Sequence, residues 1–297
     1  MSRDTTTVLT GLSYLEGPRW HQGRLWVSDM YTHQVLSVRE DGTARRVEAV
    51  VPEQPSGLGW LPDGRLLIVS MRDRKLLRRE LDGTLVTHAD LSRGTGGHLN
   101  DMAVDRRGRA FVGNFGFDLM GGEPLQPANL LRVDPGGTVT EVADELWFPN
   151  GSVVTTDDVL LVNETFGNRI TAFDITADGG LTNRRVWARF GDLPAETDIA
   201  AVLGQVTVGS DGSALDAEGA LWVADAVNGR VIRVREGGDI VDEITLGAGV
   251  FACALGGGDG RTLFVCQAPD FHEEARKNAR EATVTAVRVD VPACTDA

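Results

Sequence analysis

Six times along the chain a polar residue, usually followed by glycine, opens an apolar stretch that leads through a turn into a second apolar run. The copies start at Glu16, Ser56, Asn100, Asn150, Asp211 and Phe251, 40 to 61 residues apart. Two of them read Ser56-Gly-Leu-Gly-Trp…Asp63-Gly-Arg-Leu-Leu-Ile-Val69 and Asp211-Gly-Ser-Ala-Leu-Asp…Gly219-Ala-Leu-Trp-Val223. Each copy has the pattern of a β-hairpin, two β-rich runs joined across a tight turn. A third alternating segment follows in five copies: Gln34–Val38, Lys75–Arg79, Asn129–Val133, Arg169–Phe173 and Arg230–Val234. A fourth, such as Ala44–Ala49 or Val139–Ala143, closes the unit. Four short strands repeated six times predict an all-β chain, a six-bladed β-propeller of four-stranded antiparallel blades around a central channel. The last copy ends on Ala282–Val289 without a clear fourth strand. Thr5–Leu9 is expected to supply it, closing the ring and removing its edges. Residues 1–297 are therefore expected to form one domain, although length alone would allow two. A β-sandwich joined to a second all-β domain would leave six copies unexplained.

Composition narrows the partners. The 36 glycines among 297 residues suit a fold with many tight turns. A net charge of −14, from 43 acidic and 29 basic residues, argues against nucleic acid or an anionic membrane as partner. No apolar run reaches the length of a membrane span, and Met1–Thr10 lacks the basic-then-apolar order of a signal peptide, so a cytoplasmic protein is expected. Cys253, Cys266 and Cys294 form neither a disulfide framework nor a metal-ligand spacing and read as buried thiols. Phe115–Pro127 and Gly191–Thr207 interrupt the repeat as long loops, and Leu193–Leu203 is expected to hold a short helix.

The repeat places its six lead residues in one position, at the start of the innermost strand beside the channel. Four of them, Glu16, Asn100, Asn150 and Asp211, carry oxygen donors. Two carboxylates with two amides suit a hard cation, Ca²⁺ first, with Zn²⁺, Mn²⁺ or Mg²⁺ as alternatives. Asn-Gly, Asn-Asp and Asp-Gly are also ordinary turn dipeptides, and it is the shared register of all four residues that points to a site. A second ring is expected where the second strand returns to the same face: Asp29, Met71, Asn114, Glu164, Asp225 and Gln267. His98, two residues before Asn100, is expected to face the same cavity.

These residues resemble those of the SMP-30/gluconolactonase/LRE-like family across nearly the whole chain. Glu16-Gly-Pro-Arg-Trp resembles that family's opening Glu-x-Pro-x-Trp, and His98-Leu-Asn-Asp-Met-Ala-Val-Asp105 with Gly108-Arg resembles its Arg-x-Asn-Asp-x-x-x-Asp…Gly-Arg segment. Pro149-Asn-Gly and Ser210-Asp-Gly-Ser-Ala-Leu-Asp…Leu221-Trp-Val-Ala224 continue the likeness. The resemblance implies one catalytic divalent cation in the channel, with Glu16, Asn150 and Asp211 as ligands and Asn100 as a ligand or substrate contact. It also implies hydrolysis of sugar lactones or related esters, with Asp211 as a general base and Asp101 in the substrate pocket. The chain departs from the regucalcin pattern in having His98 where an Arg contacts polar substrate. Phe115, Trp147, Phe148 and Phe251 add an apolar rim, which points to a less hydroxylated lactone or ester.

The expected activity is therefore metal-assisted opening of a small-molecule lactone or ester by a monomer or small homo-oligomer. The catalytic candidates are Asp211, His98 and Asp101. The candidate substrate contacts are His98, Asn100, Asp101, Asn114, Phe115, Phe148, Glu164 and Phe251. The absence of a Gly-x-Ser-x-Gly elbow disfavours a serine nucleophile. A lyase, isomerase or cyclase on the same scaffold and a non-catalytic, metal-braced binding propeller are the alternatives.

Overall fold

The computed structural model describes residues 3–294, so Met1, Ser2 and 295–297 of the expected 1–297 domain lie outside the described residues. Its strands form six four-stranded antiparallel sheets, one for each copy of the repeat. In blade 1 the chain runs outward through Leu15–His21, Arg24–Asp29, Gln34–Val38 and Arg46–Val50. Blades 2 to 5 repeat that order, with inner strands Pro55–Trp60, Leu99–Val104, Pro149–Val154 and Ser210–Leu215. Blade 6 takes three strands from the C-terminal part, Gly249–Gly256, Thr262–Ala268 and Ala282–Arg288, and its outer strand, Thr5–Leu12, from the N-terminal part. That pairing joins the two parts of the chain (Thr5 opposite Val287) and leaves the ring closed.

Burial follows strand position. Leu66–Ser70, Ala110–Asn114 and Leu221–Asp225, the second strands of their blades, are buried throughout, because neighbouring blades cover both faces. The outer strand Ile240–Thr245 is largely exposed. The hairpin turns use the residues the repeat displays. Asp216 Oδ1 accepts the N–H groups of Glu218 and Ala220, and Gly219 supplies φ +77. In blade 4 Asp158 takes the same left-handed conformation at φ 58.

Each inner strand carries an extra residue at its start: the register slips between Leu99 and Met102, between Pro149 and Ser152, and at the matching place in every blade. Such a bulge re-aims the side chain it carries. It also removes a carbonyl from the ladder, and side chains of the neighbouring blade replace the lost partner. Ser28 Oγ donates to Ser56 O at 2.6 Å, and Asn163 Nδ2 donates to Asp211 O. The glycine after the lead residue has a steric reason. A Cβ on Gly151 would lie 2.5 Å from Asp211 O and 2.6 Å from Gly212 Cα, so the inner strands converge too closely for a side chain.

The interruptions differ in part from expectation. Only Ile199–Leu203 of the 193–203 stretch is helical. Its start is set by Asp198, whose side chain accepts from Ala201 N, while Pro194 lies in the irregular segment before it. A further insertion, unforeseen from the repeat, carries the one-turn helix Glu273–Arg276 between two strands of blade 6. Cys253 and Cys266 are buried, whereas Cys294 is partly exposed; none is paired. Among the described residues no helix is long and apolar enough to cross a membrane.

Candidate functional site

At the end of the channel where the inner strands begin lies a cavity of about 300 Å³. Three positions of the repeat line it. The lead position contributes Glu16, Asn100, Asn150, Asp211 and Phe251, all buried; Ser56, also buried, does not reach the lining. Two residues earlier in the chain stand Tyr14, Gln54, His98 and Phe148. One residue past the second strand come Met30, Met71, Phe115, Thr165 and Ala226. The insertions cover the mouth with Leu119, Met120, Leu203, Phe271 and Glu273.

The two amides are oriented by their own donors. Asn150 Nδ2 donates to Thr165 Oγ1 at 3.1 Å, and that hydroxyl passes a hydrogen bond on to Ser210 O at 2.9 Å. Asn100 Nδ2 donates to Pro149 O at 3.3 Å. Each amide is thereby held with its carbonyl oxygen toward the cavity. Asn150 Oδ1 and Asp211 Oδ1 are buried without a hydrogen-bond partner. Native structures rarely leave such oxygens unsatisfied, and an absent ion is one physical reason for it. Two carboxylates and two amides form an all-oxygen donor set, which fits a hard divalent cation. Among the described residues no three His, Cys, Asp or Glu side chains gather as a metal-binding group, so a cation here would rely on the amides.

The charges at this floor oppose one another. Burial pushes the Glu16 carboxyl well above the ordinary carboxylate range, and the charges of Asp211 and Asp101 add to it. Burial also raises Asp211, with Asp101 adding, against the Gly212 N–H and the Asn150 side chain. Tyr14 is raised by burial and then by Glu16 and Asp211, so its phenol stays a donor. His98 is lowered by burial and then by Arg72, which leaves it uncharged near neutral pH. Because the two carboxyls have raised values in the folded state, their contribution to stability is fully present below the unfolded carboxyl range, near pH 4. It is lost as pH rises through the folded values. The cation-free protein is therefore expected to lose melting temperature as pH rises above the unfolded carboxyl range, near pH 4, relative to a Glu16→Gln/Asp211→Asn double variant. Thermal scans of both proteins in chelator check this; parallel pH curves would contradict it.

Not every residue expected at the site reaches it. Asp101 occupies the position that is glycine in four other blades, and its carboxylate turns to Arg19 of blade 1. Arg19 Nη2 donates to Asp101 Oδ1 and Oδ2 at 2.7 and 2.9 Å and to Met102 O at 2.8 Å. Asp101 thus acts on the floor through its charge, from outside the cavity lining. Arg19 also lines a separate cavity of about 440 Å³ at the opposite end of the channel.

The second ring turns into the blades. Asn114 accepts from Gly116 N at 2.9 Å and donates to Asn129 Oδ1 at 2.8 Å. Glu164 accepts from Trp147 N at 2.8 Å and from Arg169 Nε at 2.6 Å. Asp29 holds Ser13 N, and Asp225 holds Gly209 N, both at 3.0 Å. Asp29, Glu164 and Asp225 pin the segments leading into the inner strands, and Asn114 ties the second strand to the third. Strand pairing also puts Ser70, rather than Met71, in this ring: Pro55 pairs with Ser70 as Leu99 pairs with Asn114. The alternation of the second strand explains the outcome, since its last side chain faces the blade and the next one faces the channel. Reading one position further along the repeat would have found Met30, Phe115 and Thr165 as a set; nothing in the repeat marks Phe271 or Leu203.

Aromatic rings line the cavity in two groups, one at blades 3 and 4 and one at blades 6 and 1. Phe115 stacks on Phe148 at 4.5 Å between centroids, Phe148 meets Phe166 at 4.8 Å, and Tyr14 meets Phe251 at 5.0 Å. His98 lies 5.8 Å from Phe115.

Fold and floor together define a six-bladed propeller with an oxygen-donor site at one end of its channel. The chain matches the SMP-30/gluconolactonase/LRE-like region over residues 15–269 and belongs to that family. It is 27% identical to regucalcin of Danio rerio over 241 residues, 80% of this chain and 72% of that one. It is also 27% identical to pentonolactonase XacC of Haloferax volcanii, over 97% of this chain and 94% of that one. The solved structure of a calcium-binding protein, regucalcin, from Agrobacterium tumefaciens superposes with a TM-score of 0.79 at 22% identity, covering 99% of this chain and 96% of that one. At that identity the likeness is one of fold.

Proposed function

We propose that this protein hydrolyses a lactone, and that Glu16, Asn100, Asn150 and Asp211 hold a divalent cation, Ca²⁺ first among the candidates, at the floor of the cavity. The observation that carries this reading is the pair of buried, unpartnered oxygens, Asn150 Oδ1 and Asp211 Oδ1, on converging strands. The relative named pentonolactonase supports ring opening, and the two named regucalcin support calcium. When bound, such a cation polarises the lactone carbonyl and stabilises the oxyanion that follows. The Asp211 carboxylate takes the proton of the attacking water and returns it to the ring oxygen as the acyl C–O bond breaks, and uncharged His98 at the rim is the other group able to do so. Tyr14, kept protonated, donates a hydrogen bond to the substrate. Phe115, Phe148 and Phe251 exclude bulk water from the floor.

Removal of the cation tests the reading. Chelator-treated protein is expected to open lactones only at the uncatalysed rate, and Ca²⁺ or Mn²⁺ is expected to restore turnover. In ¹⁸O-labelled water the product acid should carry one label. Full-rate opening without a cation would overturn the metal-assisted mechanism, and an unlabelled product would overturn hydrolysis.

A further inference from the structure

Apolar side chains line the cavity all round, Met30, Met71 and Phe115 among them, but the uncommitted polar groups above the floor are confined to one side. Above the floor, the polar groups able to meet a hydroxyl sit on the arc of blades 1 to 3: Tyr14, Tyr31, Gln54 and His98. Thr165 is already committed, accepting from Asn150 and donating to Ser210 O. Glu273, at the mouth, lies 3.5 Å from Arg72. The facing arc of blades 4 to 6 presents Phe148, Phe166, Leu203, Val227 and Phe251. A polyhydroxylated ring carries hydroxyls around its whole edge. Those facing the second arc would be buried without partners, which is unfavourable.

Apolar side chains continue around the mouth of the cavity, from blade 3 as well as blades 5 and 6. Met120, Val227 and Phe271 line its mouth while remaining 42%, 38% and 38% exposed. Large apolar side chains gathered around an opening mark a surface that a ligand covers. Two of the three come from insertions outside the repeat, so the fold itself does not require them there.

Resting on the lactone reading above, we infer that the substrate is a lactone bearing an apolar alkyl or aryl substituent. Its ring lies over the oxygen-donor floor against the polar arc. Its substituent runs along Phe148, Phe166 and Val227 toward Phe271.

A panel of δ-lactones tests this in the cation-loaded protein: glucono-δ-lactone, δ-valerolactone, δ-octalactone and δ-decalactone. kcat/KM is expected to rise roughly fourfold for each methylene that enters the cavity. It is expected to favour δ-decalactone over glucono-δ-lactone by about 10²-fold. Phe271→Ser, at the exposed mouth, is expected to lower the decalactone-to-valerolactone ratio about threefold. Calorimetric titration with the six-membered lactam bearing the same pentyl chain, which the protein cannot open, reads binding separately from turnover. It should bind more tightly than the unsubstituted lactam and with a more negative heat-capacity change. Lactone opening that favours the sugar lactone, with no dependence on chain length, would overturn the inference and leave hydrolysis standing. Chain-length-dependent lactam binding with no lactone opened would uphold the apolar site and overturn the hydrolase reading. Neither binding nor turnover would overturn both.

Discussion

Asp211→Asn is expected to lower kcat for lactone opening by about 10³-fold at saturating cation, the scale set by losing a general base together with part of the charge stabilisation. The replacement is nearly isosteric, so Gly212 and the bulge that aims position 211 are retained. It removes the negative charge and the basicity of Oδ1, the atom left without a partner in the cavity floor. Burial and the neighbouring Asp101 already disfavour the charged form of Asp211, so the folded protein should not be weakened by losing it. Steady-state kinetics over a range of cation concentrations, with thermal melts alongside, separate the roles. A kcat within tenfold of the parent once cation is saturating would reduce Asp211 to a ligand and move the proton transfer to His98. The pH–rate profile of His98→Gln then locates the base: loss of the acidic limb in that variant would assign it to His98.

Glu164→Ala is expected to destabilise the protein by about 3–5 kcal/mol, the usual cost of removing one partner of a buried ion pair. Glu164 is fully buried, and its carboxylate receives Arg169 Nε, Arg169 Nη2 and the Trp147 backbone N–H at 2.6 to 2.9 Å. The variant leaves those donors unsatisfied at the point where the chain enters the inner strand of blade 4. A fall in melting temperature of roughly 6 °C or more should follow, while KM for a given lactone stays within about twofold. Denaturant unfolding and lactone kinetics on the same preparation check both halves. Unchanged stability with a greatly raised KM would return Glu164 to the substrate contacts.

The contrast between Asp211 and Glu164 shows how far the site was legible. Both are acidic residues in register with the repeat, one at the start of an inner strand and one at the end of a second strand. The lead position was readable because four oxygen-bearing side chains recur there. The second ring looked equally polar, yet its polarity serves backbone donors such as Ser13 N, Trp147 N and Gly209 N. Sequence alone does not distinguish a carboxylate that meets a backbone N–H from one that meets a ligand. Asp101 illustrates the same gap: its partner, Arg19, is 82 residues away in the chain, two blades earlier.

The sequence by itself determined the six-bladed architecture, the four-stranded blades, the N-terminal strand that closes the ring, and which residue leads each inner strand. Those properties follow from local rules, the alternation of apolar side chains and the turn chemistry of Asp and Gly, which act within a few residues. Only the tertiary structure decided which side chains face the channel. The close approach at Gly151, the hydrogen bond that holds the Asn100 amide and the bonds from Ser28 and Asn163 to inner-strand carbonyls all depend on neighbouring blades. So does the apolar lining of the cavity, which Phe271 and Leu203 extend from insertions that carry no trace of the repeat. A side chain's direction at the axis of a ring is set by what stands across from it, and in this protein those neighbours are distant in sequence.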